Sequence, residues 1–156
     1  MFKIPLSNPD ITEKEQRAVL EVLKTSSLSL GKKYLEFEKM AAKFAGVKYA
    51  VAVNSGTSGL HLIIKALGIS GGDEVITTPF SFISSANSIL YERAKPVFVD
   101  IKSDTFNIDP ELIEGLITSK TKAILAVDVF SQPADWQELK RIAKDRKSTR
   151  LNSSHT

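Results

Sequence analysis

The stretch that decides the fold is residues 49–62, YAVAVNSGTSGLHL. Its first part, Tyr49–Val53, is short, apolar and partly β-branched, which predicts a buried strand. A turn rich in glycine and hydroxyl side chains follows, and the pattern of residues 58–67 predicts a helix that ends at Gly68. A strand that leads through a tight turn into a helix is a building unit of α/β folds.

The same alternation continues on both sides of this stretch. Further strands are predicted at 74–78, 96–100 and 123–127, and further helices at 12–24, 35–45, 82–91, 109–116 and 134–144. Strands that alternate with helices predict a mostly parallel sheet covered by helices on both faces. Such a sheet binds ligands at the carboxyl ends of its strands, so the turns after the predicted strands are the places to look for a site.

The turn Asn54–Gly59 has the properties of a phosphate-binding site. Glycine lets the backbone approach a ligand closely, and the first N–H groups of the following helix have no internal partner. The hydroxyl groups of Ser55, Thr57 and Ser58 add donors. The turn lacks the lysine of a P-loop and the spacing of a dinucleotide-binding motif, which favours a single phosphate. The alternative is that Ser55 or Thr57 only caps the helix.

The turn after the second predicted strand carries two aromatic side chains, Phe80 and Phe82. An aromatic ring at this edge of the sheet can stack on a flat cofactor ring, and the alternative is ordinary core packing. Three other polar residues have weaker cases. His61 fits a packed or solvated side chain better than a ligand, Asp100 fits a solvent-facing carboxylate, and Asp135 fits the first turn of the last helix.

Composition excludes several classes of function. The chain of 156 residues has no cysteine and two histidines, so disulfides, thiol chemistry and a histidine-built metal site are not expected. No apolar run approaches the length of a membrane span, and the amino terminus does not resemble a signal peptide. The net charge of +3 falls to +1 without residues 145–156, so nucleic acid is not an expected partner. We expect a cytoplasmic protein.

Residues 145–156, DRKSTRLNSSHT, resemble the in-frame translation of a sequencing-adapter oligonucleotide. The hypothesis is that residues 1–144 are native sequence and that 145–156 form a non-native tail, which is excluded from fold reasoning. The alternative is a polar native terminus, and neither interpretation gives the tail a function.

Seven blocks, taken together and in this order, resemble the DegT/DnrJ/EryC1/StrS family of sugar aminotransferases. They cover nearly the whole chain before the tail and are PLSNPD at 5–10, Gly31 with EFE at 36–38, AVNSGTSGLHL at 52–62, GDEVIT at 72–77, FSF at 80–82 with AN at 86–87, AKPVFVD at 94–100 and QPAD at 132–135. The resemblance implies the amino-terminal part of the large domain of a fold-type-I transferase, which depends on pyridoxal 5′-phosphate (PLP). It also implies a homodimer, a nucleotide-linked keto sugar as substrate, glutamate or glutamine as amino donor, and a role in polysaccharide biosynthesis.

Carried over by position, Gly56, Thr57 and Ser58 match the residues that hold the PLP phosphate, and Phe82 matches the aromatic position that stacks on the pyridine ring. Ser131 stands where many members of the family have glycine. The resemblance places the aspartate that faces the pyridine nitrogen, and the lysine that binds PLP covalently, beyond Lys144. No catalytic residue is therefore assigned in this chain, and we expect the fragment itself to be inactive.

Because the position of the lysine lies beyond Lys144, the reaction stays open between two branches of the family. A branch with histidine in place of the lysine dehydrates keto sugars, whereas members with lysine transfer an amino group. A non-catalytic regulatory relative is the third alternative.

Overall fold

The computed structural model describes residues 8–145 and 149–153, with side chains described for 8–145. The chain divides between Ala52 and Val53 into two compact units. The helices are α1 Glu13–Leu23, α2 Lys32–Ala45, α3 Gly56–Ala66, α4 Ser84–Tyr91 and α5 Trp136–Asp145. The strands are β1 Glu74–Thr77, β2 Lys95–Phe98, β3 Thr121–Val127 and β4 Thr149–Ser153. None of the described helices is long and apolar enough to cross a membrane.

The first unit contains α1 and α2, and their ends are those that the sequence predicts. Thr12 caps α1, and its backbone N–H donates to Glu15 in a complete capping box. Gly46 ends α2 in the left-handed conformation, with φ of 65°, which glycine adopts without the steric cost of a Cβ.

The second unit is built on a parallel sheet with the strand order β2-β1-β3-β4. Side chains on β3 alternate between the two faces, as a strand buried on both sides requires. Ala123, Leu125 and Val127 pack with α3 and α4, whereas Ile124 and Ala126 pack with α5. The predicted three-layer α/β/α arrangement is confirmed.

The strand predicted at Tyr49–Val53 is absent. A strand is defined by its ladder of backbone hydrogen bonds, and none of the four described strands pairs with this segment. The backbone of Ala52 is bound instead by side chains of α2. Its N–H donates to Glu38 at 2.9 Å, and its carbonyl accepts from the Tyr34 hydroxyl at 3.3 Å. Tyr49 and Val51 remain exposed.

The helix predicted at 109–116 consists of two short 3₁₀ turns, Pro110–Leu112 and Glu114–Leu116. Asp109 caps the first turn as expected, and Pro110 occupies its first position. Gly115 lowers the helix propensity of this short stretch, and the buried Ile113 anchors it to the core. Local i→i+3 bonds are sufficient for a connection of this length.

Residues 149–153 of the tail, which was excluded from the fold reasoning, belong to the sheet. They form β4, which pairs in parallel with Ala123–Val127 of β3. Helix α5 follows β3 and brings the chain back to the unpaired edge of that strand. Backbone pairing at this edge requires no particular side chains. The proposed adapter origin of the tail stays a hypothesis. The rest of the tail, except for Asp145, and the block at 5–7 lie outside the described residues.

Candidate functional site

The centre of the sheet contains a topological switch point. β1 and β3 are neighbours, and the chain leaves them in opposite directions. From β1 it passes through α4 to β2 on one side, and from β3 it passes through α5 to β4 on the other. In open α/β sheets, ligands bind outside the carboxyl ends of two strands related in this way.

A cavity of about 390 Å³ lies at this switch point. Its lining comes from the two segments that follow the central strands, Pro79–Phe82 and Val127–Phe130. Phe82 is 68% exposed, so its ring is available to a flat ligand rather than used in the core. A larger groove of about 580 Å³ lies in the first unit, between the end of α1 and the start of α2, and contains none of the predicted site residues.

Helix α3 also begins at the carboxyl edge of the sheet. It packs on the sheet through Leu60 and Ile64, and the short loop 67–73 joins its carboxyl end to the start of β1. The helix therefore runs antiparallel to β1. Helix α4 starts at the same edge, because it directly follows β1. The positive ends of two helix dipoles thus face the edge where the cavity opens.

In the first turn of α3, the residue that caps the helix differs from the residues whose donors are available to a ligand. Ser55 is the N-cap, and its Oγ accepts from the Ser58 N–H at 3.1 Å and donates to Ser58 Oγ at 3.0 Å. The capping alternative is therefore confirmed for Ser55. In the part of the chain that the structure describes, the N–H groups of Gly56 and Thr57 and the Thr57 hydroxyl have no hydrogen-bond partner. The turn contains no acidic residue, so these donors suit an anion.

The three weaker candidates have structural roles or none. Nε2 of His61 lies 2.6 Å from Glu92 Oε1, and the ring meets Tyr91 edge-on, so the packed interpretation is confirmed. Asp135 accepts from the Glu138 N–H at 3.1 Å and caps α5. Asp100 is exposed, as expected.

Two residues shape the site through contacts that were not predicted. Asn107 is 3% exposed and binds three backbone groups of the loop after β3. Asp128 Oδ1 accepts from the Ala134 N–H at 2.9 Å and from Trp136 Nε1 at 3.0 Å. Sequence alone gives no indication of these contacts, because each joins groups whose proximity depends on the tertiary fold.

An aromatic cluster borders the cavity. Phe80, Phe106 and Phe130 lie with ring centroids 5.7 to 6.2 Å apart, and the arrangement includes one stacked pair and two edge-on pairs. Both Phe80 and Phe82 line the cavity, but Phe80 packs in this cluster and is 42% exposed, whereas Phe82 is 68% exposed. The two aromatic residues of the turn thus have different surroundings.

These features define a class of protein. A sheet with a cavity at its switch point, an exposed aromatic ring in the wall and a helix start with free donors suits a flat ligand that carries a phosphate. The comparison with known sequences is more specific. The chain belongs to the DegT/DnrJ/EryC1/StrS aminotransferase family, whose model matches residues 9–149.

Two of the relatives have names that concern sugars. The chain is 45% identical over 142 residues to the spore coat polysaccharide biosynthesis protein SpsC of Bacillus subtilis, which covers 91% of this chain and 36% of that protein. It is 42% identical over 143 residues to GDP-perosamine synthase of Caulobacter vibrioides, covering 91% of this chain and 38% of that protein. The chain thus spans well under half the length of these relatives.

A solved relative identifies the cofactor of the family. NtdA of Bacillus subtilis, solved with the bound cofactor PMP, matches with a TM-score of 0.84 and 35% identity over 91% of this chain and 34% of that one. PMP, pyridoxamine 5′-phosphate, is the amine form of PLP, which is the cofactor of this family of aminotransferases. It is flat and carries one phosphate, so it fits the donor set and the aromatic wall described above.

Proposed function

We propose that this chain is the amino-terminal part of a PLP-dependent enzyme that transfers an amino group to a nucleotide-linked keto sugar. The observation that supports it most directly is the pairing of a helix start rich in free donors with an aromatic-walled cavity at the switch point, in a chain of this family. The names of the relatives support a sugar substrate.

Gly56, Thr57 and Ser58 would hold the phosphate of the cofactor. The N–H groups at the start of α3 donate to phosphate oxygens irrespective of side chain, and the Thr57 hydroxyl adds one more donor. Phe82 would fix the plane of the pyridine ring by stacking. When bound, the cofactor supplies the electron sink for amino transfer, and the protein supplies its position and orientation.

The complete protein would take its amino group from glutamate or glutamine, work as a homodimer and reside in the cytoplasm. The aspartate and the lysine that complete the site would lie beyond Lys144, and we expect the chain described here to be inactive alone. Sequence downstream of Lys144 separates the alternatives. A lysine after a strand-borne aspartate supports transamination, histidine at that position supports dehydration, and neither residue supports a regulatory role.

The cofactor site can be tested directly on this chain. Trp136 is the only tryptophan and donates to Asp128, which lines the cavity. PMP absorbs where tryptophan emits, so binding in the cavity should quench Trp136. PMP has an amine in place of the aldehyde and cannot condense with surface lysines. We expect saturable quenching by PMP and much weaker binding of pyridoxamine, which lacks the phosphate. Equal affinity for the two compounds would contradict the phosphate site.

Two substitutions test the assigned residues. Thr57→Ala should weaken PMP binding by about 1–3 kcal/mol, the usual cost of losing a hydrogen bond to a charged group. Phe82→Ala should weaken PMP binding and leave the preference for the phosphorylated compound. Matched controls at the opposite edge of the sheet are Thr118→Ala and Tyr91→Ala, which should bind PMP as the parent chain does. Unchanged affinity in both test variants would remove the assignment.

A further inference from the structure

A buried asparagine forms hydrogen bonds with the backbone of the loop after β3. Asn107 lies between β2 and β3, just before Ile108, which forms an antiparallel bridge with Ile101. Its Nδ2 donates to the carbonyl oxygens of Gln132 at 2.9 Å and Pro133 at 3.1 Å. Its Oδ1 accepts from the Val129 N–H at 2.9 Å. The orientation of the amide is determined, because the reverse would place an oxygen against two carbonyl oxygens.

The loop that Asn107 binds has an unfavourable backbone. Phe130 and Ser131 are consecutive non-glycine residues with φ of 51° and 61°. Such left-handed residues persist only where surrounding contacts impose them. The contacts here come from two sides, since Asn107 binds residues 129, 132 and 133 while Asp128 binds the start of the following helix.

This strained conformation has a direct effect on the cavity. Val129 and Phe130 belong to the cavity lining, and the Phe130 ring is held 6.2 Å from Phe80, which lines the opposite wall. One hydrogen bond lies within the loop, from the Gln132 N–H to the Val129 carbonyl at 2.9 Å. The Asn107 amide supplies the hydrogen bonds that tie residues 129, 132 and 133 to another described segment of the chain. The position of the cavity wall at Val129 and Phe130 therefore depends in part on a side chain that does not itself line the cavity.

We propose that Asn107 is a positioning residue for the ligand cavity and acts through the loop 128–133. This inference rests on the proposed function, because it takes the cofactor as the occupant of the cavity. Asn107 touches no ligand; it fixes the wall that the ligand meets. Loss of the amide should let the loop relax toward ordinary φ values, move Phe130 and weaken cofactor binding beyond any effect on folding.

The test compares PMP affinity per folded molecule by quenching of Trp136. Asn107→Ala should bind PMP about tenfold more weakly, the order of effect that supporting hydrogen bonds have at bound metal sites. Asn107→Asp keeps the acceptor for Val129 but turns a carboxylate toward two carbonyl oxygens, and it should weaken binding as well. Ile142→Ala, a buried core substitution on α5, is the control for lost stability and should bind PMP as the parent chain does.

A second readout covers variants that fold poorly. Hydrogen exchange at the Val129 amide should accelerate in Asn107→Ala relative to neighbouring core amides, without any ligand present. If the parent chain binds PMP and both Asn107 variants bind it equally well, the positioning role is overturned while the proposed function stands. If the parent chain does not bind PMP, the proposed function fails and this inference fails with it.

Discussion

Ser131 is a residue with a Cβ in a backbone conformation that favours glycine. The resemblance places it where many members of the family have glycine, and the structure gives it φ of 61°. A Cβ in that conformation crowds the following carbonyl oxygen, at a cost of roughly 1–2 kcal/mol. The neighbouring Phe130 has the same left-handed backbone but contributes its ring to the aromatic cluster, so its strain has a compensating contact.

Ser131→Gly should therefore stabilise the chain. The relief of left-handed strain outweighs the extra entropy of glycine in the unfolded chain, and the net gain should be about 0.5–1 kcal/mol. Urea unfolding measures it as a higher midpoint with an unchanged slope. Ser131→Ala keeps the Cβ and serves as the control, with no gain expected. A loss of stability in the glycine variant would show that the Ser131 side chain makes a contact that outweighs the strain.

At the scale of elements, the carboxylate of Glu74 ties the start of the central strand to neighbouring segments. Glu74 begins β1 and is 8% exposed, and its Oε2 accepts from the Thr118 hydroxyl at 2.6 Å. Its Oε1 accepts from Lys95 Nζ at 3.3 Å, which links β1 to β2. The Thr118 hydrogen bond and then Lys95 hold the pKa of the Glu74 carboxyl below its ordinary value of 4.5.

Because the folded-state pKa of Glu74 is lowered, the stability of the folded chain decreases as the solution becomes acidic. A carboxyl with a folded-state pKa below its unfolded value contributes stability above the unfolded pKa and loses it as pH falls through the folded pKa. Glu74→Gln should be less stable near neutral pH and should lose less stability than the parent from about pH 5 downward. Thermal unfolding across this range measures the difference. Parallel curves for the two proteins would contradict the linkage.

At the scale of the whole molecule, the tendency to associate depends on which strand edges are covered. β4 covers the outer edge of β3, the longest strand, through pairing of all of its residues from Thr149 to Ser153. Backbone hydrogen bonds on that edge are independent of the side chains that supply them, so a segment of foreign origin can fill the position of a strand. An uncovered edge of an apolar strand is a template for association with another chain.

Removal of residues 146–156 should therefore give an aggregating protein. Light scattering over a range of concentrations should show association of the truncated chain, and the 156-residue chain should associate less. A variant with proline at both Arg150 and Leu151 is the matched control. Adjacent residues of a strand direct their N–H groups to opposite sides, so one of the two prolines must remove a donor that faces β3. A soluble monomeric 1–145 chain with a sharp cooperative melt would contradict this prediction.

Local pattern was sufficient to predict much of this protein. The hydrophobic period gave the five helices, the strands at 74–78, 96–100 and 123–127, and the layers, because burial on both faces of a parallel sheet leaves a local record in each segment. The capping box at Thr12 and the glycine at the end of α2 marked helix ends, since both act within one turn. The glycine and hydroxyl turn at 54–59 favours a phosphate site for the same local reason, and that site stays a prediction.

Only the tertiary structure decided the features that need two distant segments. Tyr49–Val53 has the composition of a strand, but a strand requires a pairing partner, and none of the described strands pairs with it. Residues 149–153 have no strand composition, yet they lie along an open edge and pair with it. The roles of Asn107 and Asp128 follow the same rule. Sequence specifies which hydrogen-bonding groups each residue carries, and the fold alone specifies which groups they meet.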